Sequence, residues 1–159
     1  MRAITMFYHL TRKGLDETVT TLLTRAMGQG WRTMIRSADR ALTDHLDATL
    51  WLGPEDGFLP HGIEGGAHDD LQPVLLGAGP VTNGAKGLFL LAGAQASEPE
   101  AATLDRIWLI FDGADPGALQ SARLEWTRMT SWGLAAQYWS DETGAWVKKT
   151  EKPAVSAPA

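Results

Sequence analysis

The chain contains no cysteine. That excludes a disulfide framework, a thiolate metal site and a cysteine nucleophile, and it removes cysteine as a guide to redox compartment. Long apolar runs are also missing. The longest, Gly87 to Ala94, falls far short of the roughly 20 residues that cross a bilayer. The first residues lack the apolar stretch of a signal peptide, because His9, Arg12 and Lys13 arrive too soon. These features set the expectation of a soluble, cytoplasmic protein without membrane contact. Basic residues are in deficit, 14 Lys and Arg against 19 Asp and Glu. A net charge of −5 suits little or no direct nucleic-acid binding, which draws on a basic surface.

What is present is ordinary in bulk: 159 residues, 44% hydrophobic and 21% charged, the size and balance of one globular domain. Met6 to Leu10 reads as a strand. Leu15, Val19, Leu22, Leu23 and Ala26 recur at helical spacing, and Gly28 and Gly30 end that helix. Thr33 to Ile35 is a short strand. Ser37 or Asp39 caps a helix carrying Leu42, Leu46, Leu50 and Trp51. Gly53 to Gly66 is irregular. Val74–Leu76 and Leu88–Leu91 are wholly apolar, as strands covered on both faces are. Ser97 caps a short helical segment and Arg106 to Phe111 forms a strand. Asp115 and Pro116 open a helix that stops at Gly133, and Leu134 to Trp139 gives a last strand. This order predicts an α/β fold: a single-domain open, mainly parallel sheet with helices on both faces and nucleotide-binding-like topology. The domain is expected over residues 1–149, with 150–159 as a flexible tail.

Fold class does not settle chemistry. Gly79 to Gly87 imitates a phosphate loop, but its lysine, Lys86, comes one position late and Gly87 replaces the hydroxyl that would hold magnesium. Gly77-Ala78-Gly79 opens a dinucleotide fingerprint that Thr82 breaks. A nucleotide-binding enzyme using the Gly77–Gly87 loop is therefore the alternative reading. His61, His68, Asp69 and Asp70 lack the spacing of a metal site, and His9 and His45 are isolated. No catalytic residue, metal or cofactor is expected.

Seven tryptophans are more than a core of this size needs. Trp51 closes a helix beside the irregular segment that holds Phe58-Leu59-Pro60. Such a cluster covers the core or anchors a partner, and spacing does not choose between them. In the helix from Pro116, Ala118, Ala122, Met129 and Trp132 fall on one face, with Leu119 and Trp126 at its edge. Arg123 and Thr130 lie just outside that stripe, so Arg123 and Trp126 are surface neighbours. Spacing alone favours a core-edge tryptophan with a solvated arginine. The same pair can also hold a carboxylate against an apolar ring.

Phe7-Tyr8-His9-Leu10, Leu50-Trp51, Phe58-Leu59-Pro60-His61-Gly62, Pro73-Val74-Leu75-Leu76, Ala122-Arg123-Leu124-Glu125-Trp126, Gln137-Tyr138-Trp139 and Trp146-Val147-Lys148-Lys149 occur in that order. Together, over about residues 4–149, they resemble the chi subunit family of bacterial DNA polymerase III. The resemblance implies a non-catalytic accessory subunit of the clamp-loader assembly, active in DNA replication. Its implied partners are the psi subunit and the acidic, phenylalanine-ended C-terminal tail of single-stranded DNA-binding protein. By resemblance, Trp51 and Phe58 meet psi, while Arg123, Trp126 and Thr127 form the tail site. Family members usually carry a base where Thr127 stands, and often another where Leu119 stands. Arg128 follows but projects about 100° further round the helix. The resemblance thus implies a less basic pocket and weaker tail binding than in relatives.

Overall fold

The computed structural model describes residues 3–51 and 61–155. These form eight strands and four α-helices: β1 (Ile4–Leu10), α1 (Leu15–Gly28), β2 (Thr33–Ser37), α2 (Arg40–Trp51), β3 (His61–Ile63), β4 (Val74–Gly77), β5 (Gly87–Leu91), α3 (Glu98–Ala101), β6 (Arg106–Asp112), α4 (Pro116–Ser131), β7 (Ala135–Ser140) and β8 (Val147–Lys152). The sheet order is β3-β4-β2-β5-β6-β1-β7-β8. All pairs are parallel except β7–β8. The α/β open sheet expected from element order is the one that forms.

Two cores lie on opposite faces, because strand side chains alternate. In β6, Trp108 and Ile110 pack with Val19 and Leu23 of α1 and Leu46 and Leu50 of α2. Ile107, Leu109 and Phe111 pack on the other side with Ala101 of α3 and Ala122 and Met129 of α4. Burial on both faces explains why β4, β5 and β6 read as nearly continuous apolar runs. His45 ties the two helices of its face together, with Nε2 2.6 Å from Asp16 Oδ2.

The caps follow the sequence. Asp39 accepts from the Ala41 N–H at 2.9 Å. Ser97 and Glu100 form a reciprocal capping box at α3. Asp115 accepts from the N–H groups of Gly117 and Ala118 at α4. Gly133, at φ 84°, supplies the left-handed residue that ends α4.

Three expectations need correction. β3 falls inside the segment read as irregular, since three residues around a glycine carry no period. β8 continues through Thr150 and Glu151 to Lys152, into the stretch read as tail, and the Val155 N–H then donates to Gly133 O at 2.9 Å. Every β8 residue is exposed, so the strand has no apolar alternation to betray it. On α4, Thr130 is buried rather than outside the stripe, and Glu125 is buried as well.

Candidate protein-interaction site

α4 follows β6 and precedes β7, so it runs back across the sheet and lies over β1. Ala122 and Met129 seat it in the core. One turn apart between them, Trp126 is half-buried, its ring 5.3 Å from Phe7 and 6.3 Å from Tyr138 in an edge-on contact. The Tyr138 hydroxyl and His9 Nδ1 share a hydrogen bond of 2.7 Å. Arg123 and Thr127 are exposed beside Trp126, and the Thr127 hydroxyl donates to Arg123 O at 3.2 Å. The structure therefore brings Arg123, Trp126 and Thr127 together and adds Tyr138 as a neighbour.

The electrostatics separate the two arginines of the helix. Arg128 is engaged: it pairs with Glu125 at 3.0 Å and lies over the Trp132 ring at 4.7 Å. It cannot serve as a replacement cation without leaving both. Arg123 makes no ion pair among the described residues. Burial pushes the Tyr138 phenol up, and the nearby Arg123 charge opposes that rise. Leu119 is partly buried against the core. A guanidinium without a carboxylate partner, beside aromatic rings, can hold a carboxylate and an apolar ring at once.

Trp51 sits elsewhere. It ends α2, on the sheet face opposite α4, and is 55% exposed, too much for a core residue. Its ring stands 4.7 Å from that of His61, which is buried with Nε2 3.2 Å from Asp47 Oδ1. Phe58 lies outside the described residues. Trp51 and Arg123 belong to two separate surfaces.

The nucleotide reading meets two occupied anion nests. The Glu64 carboxylate accepts from the Ala78 N–H at 2.9 Å and the Gly79 N–H at 3.0 Å. A Cβ at Gly77 would stand 2.1 Å from that carboxyl carbon, so the glycines admit Glu64 rather than a phosphate. At the β1–α1 turn, where doubly wound folds hold phosphate, buried Asp141 accepts from the N–H groups of Thr11 (2.6 Å), Arg12 (3.1 Å) and Lys13 (2.5 Å). Burial alone would raise the Asp141 carboxyl; these backbone donors outweigh it and hold it below the usual carboxylate range. Sequence reasoning missed Asp141, whose donors lie about 130 residues upstream. A cavity of 620 Å³ at the carboxyl ends of β1, β5 and β6 is lined by Asp39, Asp112, Asp115 and Glu125 with no Lys or Arg, which would repel a phosphate.

In the 61–70 segment, Asp69 accepts from the Gly65 and Gly66 N–H groups. No group of three or more metal-ligating side chains occurs among the described residues. No described helix is long and apolar enough to cross a membrane.

No curated protein matches the chain. The family model for the DNA polymerase III chi subunit, HolC, matches residues 1–137. On that match over most of its length, the chain belongs to the chi subunit family of DNA polymerase III and is an accessory component of DNA replication.

Proposed function

We propose that the chain is a non-catalytic adaptor that binds the acidic, phenylalanine-ended C-terminal tail of single-stranded DNA-binding protein at Arg123, Trp126 and Thr127. The observation that carries this reading is the Arg123 guanidinium: exposed, without a carboxylate partner among the described residues, and beside the Trp126–Tyr138 rings. A terminal carboxylate and aspartates need such a cation, and a terminal phenyl ring needs the apolar notch next to it. The psi subunit binds at Trp51, on the other face, together with Phe58, so one chain bridges two partners without competition. It needs no cofactor and has little affinity for bare single-stranded DNA, in keeping with its net charge of −5.

The test is titration of an acidic, phenylalanine-ended peptide into wild type and Arg123→Ala, followed by calorimetry. Wild type should bind and the variant should lose most of that affinity. Equal binding by both places the site elsewhere.

A further inference from the structure

β8 lies beyond the matched residues 1–137, and one of its lysines rises on the α4 side of the sheet. In the β7–β8 pair, Ala136 faces Lys152 and Tyr138 faces Thr150. Side chains directly opposite in an antiparallel pair share a face. Ala136 is buried in the α4-side core and Tyr138 touches Trp126, so Lys152 and Thr150 rise on the α4 side. A register shift between Tyr138 and Trp139 then sets Lys148 opposite Trp139, whose ring packs with Tyr8 in the core under α1. One strand thus divides its lysines between the two faces.

The partners differ as well. Lys148 pairs with Glu151 at 3.1 Å, and Lys149 pairs with Glu142. Lys152 is exposed and makes no ion pair among the described residues. The Val155 N–H bond to Gly133 O fixes the chain just after Lys152 against the end of α4. Since α4 runs antiparallel to β7, Arg123 and Lys152 stand toward opposite ends of the α4-side surface, with Trp126, Tyr138 and Thr150 between them.

We infer that Lys152 is the second cation of the peptide site and holds an acidic side chain about three to four residues from the group on Arg123. The inference rests on the tail-binding reading of Arg123 and deepens it. From Thr150, opposite Tyr138, to Lys152 is two strand residues, about 7 Å, and from Trp126, against Tyr138, back to Arg123 is about 4.5 Å of helix rise. The sum of about 11 Å is about three to four residues of an extended peptide at about 3.3 Å each. A peptide with aspartates at alternate positions places one within reach of each cation. Lysines on an edge strand also discourage sheet-to-sheet pairing, but Lys148 and Lys152 share that task equally. Peptide binding distinguishes them by face.

The experiment measures fluorescence polarisation of a labelled peptide with alternating aspartates and a C-terminal phenylalanine, at low salt. Lys152→Ala should weaken binding about 2- to 5-fold, the range of an exposed ion pair, and Lys152→Glu should weaken it further. Lys148→Ala should bind as wild type does. The Lys152→Ala deficit should vanish in 0.5 M salt, and a peptide cut back to its terminal Asp-Phe should not sense Lys152. Wild-type affinity in Lys152→Ala while Arg123→Ala fails overturns the inference alone, as does an equal loss in Lys148→Ala. A peptide that ignores Arg123→Ala refutes the reading of the site, and the inference with it.

Discussion

Asp141, at the end of β7, holds the Thr11 N–H at 2.6 Å across 130 positions of sequence. With the Arg12 and Lys13 donors, it fills the turn that a nucleotide-binding relative of this topology leaves for phosphate. An anion is still bound at that turn, and the chain supplies it.

Asp141→Asn should therefore destabilise the fold by about 1–3 kcal/mol, because an amide cannot satisfy three convergent donors. The native carboxyl sits below its ordinary value of 3.8, so its contribution is fully present above that pH. It is lost as pH falls through the lower folded value. Urea denaturation of both proteins should show a constant gap from pH 8 to about 5, closing only in strong acid.

Glu125 should behave in the opposite sense. Burial raises its carboxyl, and the Arg128 charge and hydrogen bond only partly offset that. The charged form is penalised in the fold, with the penalty complete above the raised value and absent below the ordinary 4.5. Glu125→Gln should raise the melting temperature at pH 7 by about 2–4 °C, roughly 1 kcal/mol for a domain of this size. The gain should disappear near pH 4.

Trp51→Ala should separate partner binding from folding. Being 55% exposed, the ring contributes little to the core, and the melting temperature should shift by only a few degrees. Affinity for psi should fall by about 2 kcal/mol or more, measured by surface plasmon resonance with psi immobilised. An unchanged affinity removes Trp51 from that interface.

Thr127→Lys adds a cation one turn from Arg123, on an exposed position of α4. Peptide affinity at low salt should rise about 2- to 5-fold. Weaker binding would mean that the peptide does not pass over this edge of the helix.

The paired apolar cores were legible because β4, β5 and β6 carry apolar residues on both faces, and the helices carry capped, helical-period stripes. β8 was not, because all six of its side chains are exposed and its only signal is pairing with β7. Arg123 and Trp126 were placed together by their three-residue spacing, but helical geometry alone does not tell that Arg128 is tied to Glu125 and Trp132 while Arg123 is not. Thr130 escaped the stripe for a related reason. Its hydroxyl donates back to Trp126 O at 2.7 Å, so burial costs it no hydrogen bond.

The most direct test of the tail-binding account is calorimetric titration of the acidic, phenylalanine-ended peptide into wild type and Arg123→Ala at low salt. The account predicts a loss of about 1.5–3 kcal/mol in the variant, the range for hydrogen bonds to charged groups, and wild-type binding that fades toward 0.5 M salt. Identical binding by the two proteins would contradict it.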